Sequence, residues 1–191
     1  MSSEEFTYIY KPRLMGPAYE FALSKDSLDW AIGLRSGRVS YPMIRHIRLS
    51  YKPTNMASSR FITEIWPLNS AKIPIHSVSA RSLIDMADQG DDYVRFLREL
   101  HRRVEAADAN CVYEAGLPAW RWWPSVIVAV AAFLLVVYIA VQALIAAHYA
   151  LTGIIVLIGG WFLWQIWHIV VRNRPRNYRY DEIPEDVLPK V

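Results

Sequence analysis

Three side chains in this sequence have the chemistry of a metal ligand set or an acid–base pair: His46, His76 and Glu64. Imidazole and carboxylate bind divalent metals, and imidazole trades protons near neutral pH. Their separation in sequence argues the other way, because metal sites announce themselves by tighter ligand spacing. The simpler reading makes both histidines surface or edge residues of a small sheet. The chain has no phosphate-binding Walker loop, no G-x-S-x-G, no H-E-x-x-H and no pair of cysteines. Its single thiol, Cys111, makes no internal disulfide and suits a reducing compartment. No catalytic residue, cofactor or metal is therefore expected. An enzyme using His46, His76 or Glu64 at a membrane surface ranks third among the readings.

The elements that would position any site are dominated by one run. Between Pro124 and Val171 there is no Asp, Glu, Lys or Arg, and only His148 to Gly153 interrupts the apolar pattern. Residues 125–147 and 150–171 are each roughly 22 residues, or about 33 Å as helix. A bilayer core is about 30 Å thick. The pattern predicts a transmembrane hairpin over 124–171 with a tight turn. No cleavable signal precedes it, so the first span is expected to direct insertion.

Charge sets the expected orientation. Arg121 precedes the first span, and Arg172, Arg174, Arg176 and Arg179 follow the second, whereas the turn carries no Lys or Arg. Positive residues stay cytoplasmic, which predicts an inner-membrane protein with both termini in the cytoplasm. Trp120, Trp122, Trp123, Trp164 and Trp167 join those arginines as expected interface residues, with Trp161 approaching the same level. The arginines should bind an anionic inner leaflet, and the acidic residues from Asp181 onward should lift the tail end away. Within the spans, Ala132, Ala140, Ala143 and Ala147 of the first helix and Gly153, Gly159 and Gly160 of the second offer small-residue packing faces, either within the hairpin or between copies of it. Gln142 and Gln165 lie at different depths and should not meet. His168 snorkels to the inner interface.

Residues up to 118 hold 15 basic and 14 acidic side chains, so no nucleic-acid surface is indicated. After an N-terminal arm (1–16), alternation marks strands. Tyr19, Phe21 and Leu23 share a face, as do Leu28, Trp30, Ile32 and Leu34, with a turn at Lys25-Asp26 and another at residues 35–38. Met43, Ile47, Leu49 and Tyr51 share the next face, with a bulge at Arg45. Residues 60–66 and 71–78 complete a meander of about six strands. The period then changes. Tyr93, Phe96, Leu97, Leu100 and Val104 form a helical stripe over 91–104, opened by an Asp cap. A linker with the Trp/Arg segment (107–123) leads to the hairpin, and a basic-then-acidic tail covers 172–191.

Short antiparallel strands such as Ser27–Leu34 and Arg60–Trp66, closed by the helix Asp91–Val104, resemble the pleckstrin-homology-like (PH-like) fold over residues 17–106. Bacterial membrane proteins that join such a domain to a short transmembrane hairpin are the type this chain resembles. The fold class so implied is α+β: a small antiparallel sheet or open barrel closed by one C-terminal helix, then a helical hairpin. The closing helix carries Phe96 and Leu97 where eukaryotic members carry Trp. The loop Ser24-Lys25-Asp26-Ser27, taken as the first hairpin loop, offers one Lys where phosphoinositide binders carry several basic residues. The resemblance thus implies a non-enzymatic binding or scaffolding module with a protein partner, free to form a homo-oligomer. A subunit of an oligomeric transporter or channel is the alternative, with Gln142, Thr152 and Gln165 as its path-lining residues.

Overall fold

The structure is a computed structural model describing residues 6–12, 16–53, 59–80 and 86–189. It divides into two units: a head of residues 1–116 and 176–191, and a hairpin of residues 117–175. The architecture is α+β. In chain order the head's first part runs β1 (Phe6–Tyr10), β2 (Tyr19–Leu23), β3 (Ser27–Ile32), β4 (Arg35–Ser40), a 3-10 turn (Tyr41–Met43), β5 (Ile44–Pro53), β6 (Ser59–Pro67) and β7 (Ile73–His76). Then come β8 (Val78–Ala80), β9 (Met86–Asp88), α1 (Gly90–Ala106) and β10 (Val112–Ala115). The hairpin contributes α2 (Ala119–Ile145) and α3 (Tyr149–Arg172). The chain returns to the head as β11 (Arg176–Asn177) and a second 3-10 turn (Glu185–Val187).

Strands β1 to β4 form one antiparallel sheet in sequence order, and a second sheet has the order β11-β10-β5-β6-β7. Alternation decides which faces are buried. Tyr8, Tyr10, Phe21, Leu23 and Leu28 of the first sheet are buried, as are Ile47, Leu49, Ile65, Ile73 and Ile75 of the second. The stripe Tyr93, Phe96, Leu97, Leu100 and Val104 of α1 is buried with them. Tyr8 has its ring centroid 5.6 Å from Phe96 and 6.0 Å from Tyr93. Each such side chain contributes about 1.5–3 kcal/mol on burial. Three tyrosine hydroxyls inside this core link one element to another. Tyr8 donates to the His76 carbonyl at 2.6 Å and Tyr10 to that of Pro74 at 3.1 Å, which ties β1 to β7. The Tyr93 hydroxyl pairs with Thr63 Oγ1 at 2.6 Å, which ties α1 to β6.

Several sequence expectations need correction. The arm set at 1–16 contains β1, whose Tyr8 and Tyr10 are core residues; residues 1–5 and 13–15 lie outside the described residues. The first hairpin therefore joins β1 to β2, and Ser24–Ser27 is the second connection, which removes the ground on which basic character was judged. Leu34 is fully exposed, because the β3–β4 turn is Gly33-Leu34 and not residues 35–38. Gly33 has φ +65°, the positive value that a two-residue hairpin turn needs at its first position. The bulge at Arg45 is present as a register shift between Ile44 and His46. An inserted residue moves Ile44 onto the face of Ile47, so Ile44 is buried and Met43 exposed. The cap of α1 is Gln89, without a side-chain bond; Asp91 and Asp92 sit in the first turn.

The linker and the tail differ most from expectation. Residues 112–115 are β10, which pairs in parallel with β5. Gly116 continues that ladder by donating to Leu49 O at 2.7 Å, and its φ of +88° turns the chain out of the sheet. The tail packs on the head. β11 pairs antiparallel with β10, with Ala115 opposite Arg176 and Glu114 opposite Asn177. Tyr178 N donates to Tyr113 O at 3.1 Å. Val187 and Leu188 are buried, because they are the apolar residues that follow the acidic run.

Both hairpin helices extend past the expected spans at the head-facing ends. Pro124 falls inside α2, where it removes the bond to Trp120 O. Ala146 caps α2, and Ala147 follows with φ +58°. Ala147 N donates to Leu144 O and His148 N to Ala143 O, both at 3.0 Å, which is a Schellman ending. A left-handed alanine is strained by about 1 kcal/mol. Ala147→Gly is therefore expected to stabilise the purified protein by up to about 1 kcal/mol, and Ala147→Val to destabilise it, in a denaturing-detergent titration followed by circular dichroism.

Candidate functional site

Two regions concentrate the residues of interest: the faces of the hairpin, and the surface of the head around the β2–β3 loop and the β5–β6 ladder. Helices α2 and α3 are each long and apolar enough to cross a membrane, with mean hydropathies of 2.7 and 2.0 in their best windows. Only 11% and 6% of those windows are buried inside the structure. The core helix of a soluble protein would be mostly buried.

Small residues set the seam between the two helices. Gly159 is the close-approach point, since a Cβ there would lie 2.7 Å from Val136 Cγ1. Ala143 is buried at the seam, while Ala132 and Ala140 are half-buried. Ala129 is buried too and belongs with them at helical spacing, although the sequence reading omitted it. Ala147 belongs to the turn rather than the seam. A Cβ at Gly153 or Gly160 would meet nothing within 4 Å, so these two face outward. Gln142 is exposed and Gln165 half-buried.

The expected interface residues divide into exposed and engaged groups. Trp120, Trp123, Trp164 and Trp167 are exposed, and Arg121 lies over the Trp120 ring at 5.4 Å. Trp122 is instead a cross-helix brace, its indole N–H donating to Val170 O at 2.9 Å. Leu117 N donates to Asn173 O at 2.9 Å, closing the open end of the hairpin. Arg176 is ion-paired with Asp186, and Arg179 lies 3.5 Å from Asp181. These two arginines are therefore engaged by the acidic residues that were expected to repel the tail from the surface.

On the head, His46, His76 and Glu64 do not converge. His46 faces Trp66 across β5–β6 and His76 faces Ile62 across β6–β7, four positions apart on β6, or about 13 Å. No group of three or more metal-ligating side chains is found among the described residues. His46 and Glu64 each have other partners, and the His76 ring lies 5.4 Å from that of Tyr10. His46 stacks on Trp66 with centroids 4.6 Å apart and lies 3.1 Å from Glu114. Arg48 pairs with Glu114 and lies over Trp66 at 5.2 Å; Lys72 bonds Glu64 at 2.6 Å and lies over Trp66 at 5.5 Å. Burial holds His46 below its ordinary pKa against the field of Glu114.

A cleft of about 850 Å³ opens between the β2–β3 loop, the 3-10 turn before β5 and the last turn of α1. Its walls are built by a charged bracket. Arg103 donates to the carbonyls of Leu23 and Ser24 at 2.7 and 2.8 Å, and Tyr41 donates to Ser24 O at 2.7 Å. Glu99 accepts from Arg102 and Arg103, and these bonds, Arg102 foremost, pull its pKa to about 2 against burial. Lys25 and Asp26 stand exposed at the mouth, with Phe6 and Pro42 as apolar lining. The cleft sits where β5 and β10 begin. The chain leaves the sheet at the opposite end of β10, at Gly116. Sequence periodicity did not reveal this site, because its walls come from residues 6, 25, 42 and 102, which only the fold brings together.

No protein-family model, no curated protein and no solved structure matches this chain.

Two expected outcomes follow from the geometry. Gly159→Val forces a branched side chain into Val136 and should cost about 1–3 kcal/mol of hairpin stability. Gly160→Val should stay within about 0.5 kcal/mol, both read by denaturing-detergent titration. The second concerns pH. Burial lowers His101 to about 4, and burial followed by Arg60 lowers His76 to about 4. Both are neutral in the fold and bind protons more readily when unfolded. Their contribution is thus complete above pH 6.5 and is lost as pH falls from 6.5 towards 4. For the fully buried His101 the loss is about 3 kcal/mol. Urea unfolding followed by near-ultraviolet circular dichroism should show this decline in wild type and a shallower one in His101→Gln.

Proposed function

We propose that this chain is a two-span inner-membrane protein whose cytoplasmic head is a non-catalytic binding or scaffolding module. The observation that carries the reading is the pairing of β10 with β11. Those strands flank the two apolar helices in sequence and pair with each other, which supports a reading in which one face of a bilayer receives both ends of the hairpin. The arginines at 121, 172 and 174, against a turn without Lys or Arg, favour the cytoplasm for that face.

For the head, four antiparallel strands, then β5 to β7, then α1 is the order that supports a PH-like assignment. The cleft by the β2–β3 loop offers the best-formed surface for a partner. Its mixed Lys25 and Asp26 rim with apolar lining suits a polypeptide of mixed charge. A second reading, a subunit of an oligomeric transporter or channel, draws on the outward faces of Gly153, Gly160 and Gln142.

The test is affinity purification of full-length protein in mild detergent, comparing wild type with the double variant Lys25→Glu/Pro42→Glu and with the control Arg45→Glu. A specific partner held by wild type and by the control, and reduced at least tenfold in the double variant, is the expected result. A partner set unchanged in the double variant would remove the cleft. A homo-oligomer with no other protein attached would favour the second reading.

A further inference from the structure

The return segment after the hairpin makes one chemically distinctive contact with the head. His101 of α1 is 1% exposed, and both its ring nitrogens are engaged. Nδ1 lies 2.7 Å from Leu97 O, a carbonyl that can only accept, so Nδ1 carries the proton. Nε2 is then the acceptor, and it takes the hydroxyl proton of Tyr178 at 2.8 Å. The ring of His101 stacks on Tyr113 of β10 at 5.0 Å, and Tyr113 in turn lies 5.8 Å from Tyr178. Three elements thus meet at one neutral imidazole: α1, β10 and the return segment.

Elsewhere the segment is lightly attached. β11 contributes two residues to the sheet. The next firm hold is the 3-10 turn, with Val187 and Leu188 buried. Between these holds a cavity of about 360 Å³ separates the segment from α1, lined by Arg98, Arg102, Tyr180, Asp181 and Leu188 among others.

We infer that residues 178–188, beyond β11, form a detachable strap over α1, latched by the Tyr178–His101 hydrogen bond and opened by protonation of His101. Protonation converts Nε2 from acceptor to donor. The Tyr178 hydroxyl must then turn to accept, and its own proton loses its partner. The charge is also trapped among aromatic rings, and opening the strap hydrates it. The titratable groups around the latch are Tyr113 on β10 and Cys111 just before it, Tyr178 and Tyr180 on the strap, and Tyr93 and Glu105 on α1. Burial raises Tyr93, Tyr113 and Tyr178 and moves Cys111 up to about 12, so these four stay neutral through the acid range. The charged groups lining the cavity are Arg98, Arg102, Asp181 and Glu185. Opening would uncover the face of Tyr113 while β11 stays on β10, whatever partner the cleft takes.

Hydrogen–deuterium exchange of the full-length protein in lipid nanodiscs tests this, with rates corrected for intrinsic pH dependence. With His101 near 4 when latched and near 6.5 when open, the opening constant of the strap should rise about 30-fold between pH 7.5 and pH 5. Amides of β5 and β6 should not follow. Tyr178→Phe should raise strap exchange at pH 7.5 by about tenfold, and His101→Gln should flatten the pH response. Strap exchange that is flat with pH, or that rises only together with β5 and β6, would overturn the proposal. So would a pH response that survives in His101→Gln, and the wild-type profile with Tyr178→Phe suffices should His101→Gln fail to fold.

Discussion

Two residues of β11 hydrogen-bonded to the end of β10 hold the rest of the arrangement in place. Glu114 opposite Asn177 and Ala115 opposite Arg176 bring together chain segments separated by the whole hairpin. Because β10 is itself an added parallel strand on β5, the sheet of the head supplies the platform for both ends. Antiparallel pairing fixes direction as well as proximity: the chain leaves at Gly116 and re-enters at Arg176 from the same end of the same sheet. The two helices between them expose apolar side chains along most of their length, and such surface needs lipid or protein to cover it.

The head solves a separate problem. Two sheets present aromatic and branched faces, and the tyrosines among them need hydrogen-bond partners once buried. Carbonyls of β7 and the Thr63 hydroxyl supply these, so the polar tips of Tyr8, Tyr10 and Tyr93 become links between elements. The same logic builds the cleft, where Arg103 is used to hold the β2–β3 loop by its carbonyls. A charged residue there does structural duty, while Lys25 and Asp26 stand exposed at the rim.

Much of this was legible in sequence wherever the signal is local. A long charge-free run, the alternation at Tyr19, Phe21 and Leu23, the irregularity at Arg45 and the stripe from Tyr93 to Val104 each express one element's own periodicity. Phe6–Tyr10 carried a strand signal of the same kind, a run of aromatic and branched residues, and was passed over as an arm. What stayed hidden depends on non-local contact. Nothing near Val112 announces a parallel partner 66 positions earlier, as for Glu114 with Arg48. Nothing near Tyr178 announces His101. Trp122 carries the local mark of a headgroup anchor, yet its N–H is bound to Val170 across the seam. The arginines at 176 and 179 read as surface charge because their acidic partners follow a turn that local pattern does not show.

The central claim is that both ends of the hairpin meet one face of a bilayer and that the turn reaches the other. Single-cysteine labelling measures it most directly, in a Cys111→Ser background, with an impermeant thiol reagent applied to intact cells and to inverted vesicles. The account predicts that a cysteine at His148 reacts from outside, whereas cysteines at Gly16 and Arg174 react only in inverted vesicles. Labelling of Gly16 and Arg174 from opposite sides, or of all three from the same side, would contradict it.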